Sequence, residues 1–198
     1  MPKLTESDVS PDPLAQFGRW FEDARQAGVL EPEAVALATA SAAGAPSARM
    51  VLLKGYGERG FRFFTNYESR KGSELAENPQ AALLFHWKEL GRQIRVEGAV
   101  ERLSASESAE YFATRSLDSR VSSLASPQSR VIASREELEL RVEELRAEGE
   151  PAAPAHWGGF VLIPQVYELW QHREHRLHDR LRYRLEGPGE WVLERLAP

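Results

Sequence analysis

Short runs in which apolar and polar residues alternate make up much of the chain, and such runs are typical of β-strands. In the clearest run, residues 93–103, Ile94 and Val96 alternate with polar neighbours. Turn-forming residues separate the runs, as in Gly187-Pro188-Gly189. The pattern predicts strands at residues 34–40, 49–56, 61–65, 81–87, 93–103, 159–163, 166–170, 181–185 and 191–196.

Helices are predicted where apolar residues recur at helical spacing or where a capping sequence begins. Asp12-Pro13 begins the first helix, Phe17 and Trp20 lie on its apolar face, and Gly28 ends it. Further helices are predicted at residues 69–77, 104–115 and 134–147, the last two from capping boxes.

Short strands with helices inserted between them predict a mainly β fold, an antiparallel barrel with added α-helices. Two of the predicted strands, Met50–Leu53 and Ala81–Phe85, are apolar on both faces. Helices or a second subunit must therefore cover the outer face, and we expect a homodimer. Residues 12–198 would form a single domain, preceded by a flexible polar segment, residues 1–11.

Composition and charge exclude several classes of protein. The 198 residues are 42% hydrophobic and 28% charged, which suits a folded domain rather than a disordered chain. The apolar runs are far shorter than the ~18 residues that span a bilayer, and no signal-peptide core is visible, so we expect a cytoplasmic protein. The absence of cysteine excludes disulfides, thiolate catalysis and cysteine-ligated metals, and the net charge of −5 argues against nucleic-acid binding.

Basic residues nevertheless form two clusters. Residues 170–184 contain five arginines and two acids, and a second group comprises Arg49, Lys54, Arg70 and Lys71. Basic clusters within strand-like segments of an acidic chain suit the binding of small anions. Ordinary surface arginines would give the same pattern.

The second cluster has two features that suit phosphate. Strand parity puts Arg49 and Lys54 on opposite faces, where they would either serve two anions or simply flank a buried strand. Arg70 and Lys71 follow Ser69 at a predicted helix N-terminus, where unpaired N–H groups and the helix dipole favour an anion.

A third candidate phosphate site lies in the helix predicted after residue 104. Tyr111, Arg115 and Ser119 are spaced four residues apart, so they would share one face of a continuous helix. A phenol, a guanidinium and a hydroxyl on one face could all donate to one phosphate. An exposed helix face could also show this triplet by chance.

Histidines recur every three residues at positions 172, 175 and 178. In a strand, residues three apart point to opposite faces, and no carboxylate pattern of a metal motif surrounds them, so we predict no metal site. Arg176 and His178 are two apart and would face the same side. A cation beside a group that titrates near neutrality can hold and polarise an ionisable ring.

These residues belong to a longer series of motifs that occur in order over residues 13–198. The motifs are Arg49–Lys54, Phe64–Asn66, Ser69–Lys71, Arg92-Gln93, Gln128-Ser129, Trp157–Gly159, Trp170-Gln171, Arg176-Leu-His-Asp-Arg180 and Arg195-Leu-Ala-Pro198. With them the chain resembles the pyridoxamine/pyridoxine 5′-phosphate oxidase family, FMN enzymes that make pyridoxal 5′-phosphate. The last two motifs are the most specific.

The resemblance implies an antiparallel FMN-binding split β-barrel, a homodimer with both active sites at the interface. FMN would be bound by Arg49, Met50, Val51, Leu52, Leu53, Lys54, Phe64, Thr65, Arg70, Lys71, Gln93, Gln128, Ser129, Trp170 and Arg180. The substrate would be bound by Lys54, Tyr111, Arg115, Ser119, Arg176, Leu177 and His178. Arg176 and His178 would be the catalytic pair that holds the pyridine ring against the flavin.

The implied reaction is oxidation of pyridoxamine 5′-phosphate or pyridoxine 5′-phosphate at C4′, with O2 as electron acceptor and H2O2 as by-product. The chain departs from the family in two places. Residues 1–18 lack the usual Arg-x-x-Tyr that closes over the substrate, and His172-Arg173 stands where small residues are expected.

Two other functions fit parts of the sequence. A related flavin oxidase of phenazine biosynthesis would keep the cofactor residues but would not need the Tyr111, Arg115 and Ser119 set or the Arg176 and His178 pair. A non-catalytic protein that binds flavin or pyridoxal phosphate would show a flavin spectrum without oxygen consumption.

Overall fold

The computed structural model describes residues 3–198, which form nine strands and five α-helices. The strands are β1 (Ala34–Ala40), β2 (Pro46–Leu52), β3 (Gly55–Gly57), β4 (Gly60–Asn66), β5 (Gln80–Trp87), β6 (Arg92–Arg102), β7 (Trp157–Gln171), β8 (Asp179–Gly187) and β9 (Glu190–Arg195). The α-helices are α1 (Pro13–Gln26), α2 (Arg70–Glu77), α3 (Ala105–Ala113), α4 (Leu117–Ala125) and α5 (Arg135–Ala147). Two short 3₁₀ turns lie at Lys88–Leu90 and Glu174–Arg176.

All strand pairs are antiparallel and follow the order β2-β1-β5-β6-β7-β4-β3, with β8 and β9 continuing from β7. The long strand β7 makes this branch possible, because residues 157–162 pair with β4 and residues 166–171 pair with β8. The curled antiparallel sheet is a half-barrel, and the predicted mainly β fold with added helices is confirmed.

Helix α1 packs across the sheet and supplies much of the core. Asp12 caps it by accepting a hydrogen bond from the amide of Leu14. The ring of Phe17 is fully buried and lies 4.8 Å from that of Phe61 and 5.1 Å from that of Phe85. Burial of such rings is among the largest stabilising contributions in a domain of this size. A smaller cluster around Val121 joins α4 to α5.

The predicted strands differ from the observed ones in two places: two predicted strands are joined in β7, and one predicted strand is divided into β2 and β3. The predicted strands 159–163 and 166–170 form a single strand, β7. Pro164 has no amide hydrogen, but it lies opposite Gly98 at a register shift between β6 and β7, where proline is tolerated within a strand. A Cβ at Gly98 would lie 1.9 Å from the carbonyl oxygen of Ile163, so only glycine fits this bulge. The predicted strand 49–56 divides into β2 and β3.

The predicted helix 104–115 is confirmed as α3, but the continuous helix on which Tyr111, Arg115 and Ser119 would share one face does not form. Helix α3 ends at Ala113 with Thr114 as its C-cap, and Ser116 then leaves the helical region with φ −57° and ψ 151°. The Ser116 side chain caps α4 by accepting from the amide of Ser119. The local N-cap preference of serine therefore wins over helix continuation.

The described part of the N-terminal segment contacts the C-terminal strands. Leu4 and Val9 belong to the hydrophobic core. The Tyr183 hydroxyl donates to the carbonyl of Ser10 at 2.6 Å, and Arg195 donates to the carbonyl of Leu4 at 2.9 Å. Met1 and Pro2 lie outside the described residues, and the flexibility expected of residues 1–11 stays a prediction.

One face of the sheet remains apolar and uncovered in the single chain. Met50 on β2 is 63% exposed, and Leu84 on β5 is 37% exposed. Both pair in register with Ala36 on the intervening strand β1, so they lie side by side on one face. Such a face in a folded chain marks an interface, as expected from the strands that are apolar on both faces.

Candidate active site

A cavity of about 870 Å³ opens between strands β2 and β4 and helices α2, α3 and α4. It gathers most of the predicted cofactor and phosphate residues from distant parts of the sequence. Those that line it are Arg49, Met50, Val51, Leu52, Lys54, Phe64, Thr65, Arg70, Lys71, Tyr111, Arg115, Ser119, Gln128 and Ser129.

Lys71 is the most buried cation at the α2 end of the cavity, with 8% of its surface exposed. Its Nζ donates to Gln128 Oε1 at 2.8 Å, to Thr65 Oγ1 at 3.1 Å and to Ser69 Oγ at 3.3 Å. Burial, together with the nearby charge of Arg49, lowers the pKa of Lys71 to about 8. These contacts hold the ammonium beside the N-terminus of α2, where Ser69 is the N-cap.

Arg49 lies beside Lys71 and is held from several directions. Its Nη1 donates to Thr39 Oγ1 at 2.6 Å and to the carbonyl of Leu37 at 3.2 Å. Its Nη2 lies 3.3 Å from the carboxylate of Glu74 and also donates to Ser47. The guanidinium is therefore fixed at the cavity wall.

Glu74 contacts Arg49 and Arg70 at this end of the cavity, and the sequence analysis did not identify it. Its carboxylate also accepts from Arg70 at 2.9 Å, one helical turn away. Burial would raise the pKa of Glu74, but hydrogen bonds from Ser47, Thr39, Arg70 and Arg49 lower it to about 2. An acid four residues after Arg70 was visible in the sequence, but its inward direction was not.

Stacked aromatic side chains form part of the cavity wall. The ring of Phe64 stacks on that of Tyr111 at 3.9 Å and lies 5.5 Å from that of Trp157, nearly parallel to it. The Arg115 guanidinium lies 4.9 Å from the centre of the Trp157 ring and donates to Ser123 Oγ at 2.6 Å. Trp157 was noted as part of a motif but not as a site residue.

Tyr111, Arg115 and Ser119 meet at the α3–α4 end although no continuous helix joins them. The break at Thr114 turns the chain so that α3 supplies the phenol and α4 the hydroxyl, with Arg115 between the two helices. Burial lowers the pKa of Arg115 below its usual range.

Arg49 and Lys54 both line this cavity, and the strand parity that would place them on opposite faces does not apply to them. Strand β2 ends at Leu52, and Lys54 lies in the short connection to β3, so alternation does not extend to it. Leu53, predicted to contact the cofactor, is buried in the core and does not line the cavity, unlike its neighbours.

The remaining predicted residues form a second group outside this cavity. Gln93, Trp170 and Arg180 are neighbours in register across β6, β7 and β8. Arg180 Nε donates to the buried carboxylate of Glu168 at 2.8 Å, and the ring of His178 lies 4.6 Å from that of Trp170.

The loop 172–178 carries Arg176, Leu177 and His178. His175 and Arg176 both adopt left-handed conformations, with φ of 56° and 62°. Two successive non-glycine residues in this region are uncommon and are found mainly at functional sites. Leu177 is 70% exposed, so the loop projects from the single chain.

Within residues 3–198, no group of three histidine, aspartate or glutamate side chains is arranged to hold a metal ion. No helix in this described range is long and apolar enough to cross a membrane.

Two family models match the chain. The first, described as pyridoxamine 5′-phosphate oxidase, matches residues 21–149, and the second, described as the C-terminal dimerisation region of pyridoxine 5′-phosphate oxidase, matches residues 157–198. The second match contains the whole Gln171–Arg180 segment and strands β7, β8 and β9. It supports the homodimer expected from the exposed apolar face.

Curated relatives are similar over nearly the whole chain. A pyridoxine/pyridoxamine 5′-phosphate oxidase of Cupriavidus necator is 57% identical over 98% of this chain and 93% of its own length. One of Salinibacter ruber is 54% identical over 99% of this chain and 94% of its own length.

Two solved structures share the fold. PhzG from Burkholderia lata, determined with tetrahydrophenazine-1-carboxylic acid, is 36% identical with a TM-score of 0.94 and covers 100% of this chain and 99% of its own. An FMN-binding protein of Nostoc punctiforme, related to pyridoxamine 5′-phosphate oxidase, has a TM-score of 0.74 at 18% identity and covers 93% of this chain and 96% of its own. The chain therefore belongs to the pyridoxamine 5′-phosphate oxidase family.

Proposed function

We propose that the protein oxidises pyridoxamine 5′-phosphate and pyridoxine 5′-phosphate to pyridoxal 5′-phosphate, with FMN as its cofactor. The observation that carries this proposal is the presence of two groups of basic and hydroxyl side chains in the lining of one cavity, each of which could bind an anion. Arg49, Arg70 and Lys71 lie around the N-terminus of α2, whereas Tyr111 stacks on Phe64 and Arg115 on Trp157. An enzyme that holds two phosphorylated ring compounds against each other needs two such sites.

The α2 end suits the phosphate of a flavin mononucleotide. It offers three cations, a helix N-terminus and the hydroxyl of Thr65, all of which can donate to phosphate oxygens. The apolar side chains of Met50 and Leu52 line the same cavity and would contact the flavin ring. The residues present therefore fit the cofactor.

The α3–α4 end suits the substrate phosphate. Arg115 would donate two parallel hydrogen bonds, and Tyr111 and Ser119 one each, with Lys54 adding charge. Stacking on Trp157 and the bond to Ser123 fix the Arg115 guanidinium before the ligand arrives. This preorganisation reduces the entropy lost when substrate binds.

When bound, the flavin would supply the redox chemistry: the substrate loses a hydride equivalent from C4′ and a proton from its hydroxyl or amine group, and dioxygen takes up the two electrons and two protons as hydrogen peroxide. With the amine substrate, water then hydrolyses the resulting imine to the aldehyde and ammonia is released. The protein positions C4′ for the hydride transfer. Arg176 and His178 would hold the pyridine ring, and the two phosphate sites would fix the ring planes relative to each other.

The second subunit would complete each site. Trp170, Arg176, His178 and Arg180 lie outside the cavity of their own chain, on the segment matched by the dimerisation region. The exposed residue Met50 belongs both to the uncovered sheet face and to the cavity lining. A dimer formed through this face would therefore bring the second group of one subunit to the cavity of the other.

An oxygen-electrode assay of the flavin-loaded protein tests the function. Both phosphorylated vitamers should drive oxygen consumption and yield pyridoxal 5′-phosphate and hydrogen peroxide. A yellow protein that consumes no oxygen with either vitamer would favour a non-catalytic flavin-binding role.

The likeness to PhzG makes a phenazine oxidase the second candidate. A reduced phenazine carboxylate carries no phosphate, so an enzyme that acts on it would not need the phosphate site formed by Arg115, Tyr111 and Ser119. Faster turnover of such a compound than of either vitamer would favour this alternative. The cytoplasmic location expected from the sequence stays a prediction.

A further inference from the structure

Glu74 lies directly behind the cations of the proposed flavin phosphate site. Its residue surface is 5% exposed, and it does not line the cavity. A buried carboxylate beside a site for a dianion needs a physical reason, because its charge repels the ligand that the site is built to hold.

The hydrogen bonds of Glu74 are all directed to groups of the protein. Oε2 accepts from Thr39, Ser47 and Arg49, and Oε1 accepts from Arg70 at 2.9 Å. Both oxygens are thus occupied by donors from β1, β2 and α2. Glu74 therefore bridges three elements and holds two arginines in place without reaching the ligand space itself.

The charges at this end of the cavity nearly balance those of a phosphate monoester. Arg49, Arg70 and Lys71 contribute three positive charges and Glu74 one negative charge, which leaves two positive charges. A phosphate monoester carries about −1.5 to −2 at pH 7. The low pKa of Glu74 keeps its charge present throughout the physiological range.

We propose that Glu74 is a resident counter-ion of the cofactor site. It holds Arg49 and Arg70 in position and stabilises the protein before the flavin binds. Its negative charge also lowers the affinity of the site for the flavin phosphate. Glu74 is a positioning residue that acts through the two arginines. The proposal rests on the proposed function, since it assumes that the flavin phosphate binds beside these cations.

Glu74→Gln removes the charge and keeps the size of the side chain. Without the carboxylate, three cations face one another in the apoprotein, and its melting temperature should fall by at least about 3 °C. The phosphate then becomes the only anion at the site, so the Kd for FMN should fall at least about fivefold. The exposed Glu77 on the same helix provides the matched control, and Glu77→Gln should change neither quantity.

The experiment titrates apoprotein with FMN and with riboflavin, which lacks the phosphate, and follows quenching of flavin fluorescence. Riboflavin affinity should be equal in wild type and Glu74→Gln, because the effect acts through the phosphate. Wild-type protein that binds both flavins equally well would contradict the proposed phosphate site. A wild type that prefers FMN, combined with unchanged or weaker FMN binding in Glu74→Gln, would overturn the role of Glu74 alone.

A charge-balanced double variant keeps the test decisive if the single variant does not fold. Glu74→Gln with Arg70→Gln restores two net positive charges at the site. The counter-ion role predicts that the double variant binds FMN at least about fivefold more tightly than Arg70→Gln alone, and that its apoprotein melts at a temperature close to that of wild type. FMN binding by the double variant that is equal to or weaker than that of Arg70→Gln would overturn the proposal.

Discussion

The backbone amide of Arg173 donates a hydrogen bond to Nδ1 of His178 at 3.1 Å. Because Nδ1 accepts this bond, the neutral imidazole carries its proton on Nε2. The ring is also held by its contacts with Trp170 at 4.6 Å and His172 at 5.3 Å. The tautomer and the direction of the free Nε2–H are therefore set before any substrate binds.

Loss of this oriented donor should slow flavin reduction. We expect His178→Ala and Arg176→Ala to lower the reduction rate at saturating pyridoxine 5′-phosphate by at least about tenfold, because a misplaced C4′ reacts more slowly. Stopped-flow absorbance of the flavin measures this step. His175→Asn, in the same exposed loop, keeps the left-handed conformation accessible and should reduce the flavin at the wild-type rate. Wild-type rates in both alanine variants would contradict the ring-positioning role.

The cations at the α2 end should control flavin affinity. A charge-assisted hydrogen bond contributes roughly 1.5–3 kcal/mol, so Arg49→Ala and Lys71→Ala should each weaken FMN binding about ten- to a hundredfold. Fluorescence titration of the apoprotein measures the change. Arg59→Ala removes the same charge from an exposed site paired with Glu107 and should leave the Kd unaltered. Unchanged FMN affinity in both Arg49→Ala and Lys71→Ala would contradict the assignment of these cations to the flavin phosphate site.

The lowered pKa of Lys71 predicts a pH dependence of flavin binding. In the empty site the ammonium loses its proton as the pH rises through about 8, whereas the flavin phosphate is already a dianion there. The Kd for FMN should therefore increase between pH 7 and pH 9.5. Lys71→Arg keeps its charge over this range and should flatten the profile. An equal rise in Kd with pH in Lys71→Arg would assign the dependence to another group.

Arg115 should serve substrate binding and not cofactor binding. Arg115→Ala should raise KM for pyridoxine 5′-phosphate at least about tenfold, through the loss of charge-assisted bonds to its phosphate, while flavin content stays full. Arg115→Lys keeps the charge but loses the stacking on Trp157 and the paired donors, so an intermediate KM is expected. Steady-state kinetics with the absorbance of bound flavin as a control measure both effects.

Most helices and strands were predicted from the sequence, because capping sequences and hydrophobic periodicity depend on residues that are close together in the chain. Strand β1 matches the predicted residues 34–40, and the capping box at Ser104 begins α3 as expected. The continuous helix considered for Tyr111, Arg115 and Ser119 does not form because two local preferences compete after Thr114, and the N-cap preference of Ser116 wins. Predicting the outcome of such competition requires the tertiary contacts of both segments.

The site was predictable only in part, because its assembly depends on long-range contacts. Lys54 and Arg49 reach one cavity since β2 ends between them, which strand parity cannot anticipate. Glu74 turns inward because Thr39 and Ser47 on other strands supply its donors. Trp157 becomes part of the site through its stacking on residues far away in the sequence.

The N-terminal segment offers the last prediction, because it is tied to the loop that carries His178. Asp179 follows His178 directly, accepts from the amide of Leu4 at 3.1 Å and pairs with Arg195 at 3.1 Å. Arg195 in turn forms a two-pronged ion pair with Glu6, at 2.8 and 2.9 Å, and this hydrogen-bonded pair lowers the pKa of Glu6 to about 2. Residues 4–6 thus help to fix the end of the loop 172–178 through Asp179 and Arg195.

Deleting residues 3–10 should therefore lower the melting temperature, since Leu4 and Val9 leave the core, and should speed amide hydrogen exchange in residues 172–180. Glu6→Gln should speed exchange in the same loop to a smaller degree, because only one charged contact of Arg195 is weakened. Asp8→Asn is the matched control, since Asp8 accepts hydrogen bonds from Thr5 within its own segment. Equal exchange in the deletion variant and the wild type would show that the β7–β8 strands hold the loop without help from the N-terminus.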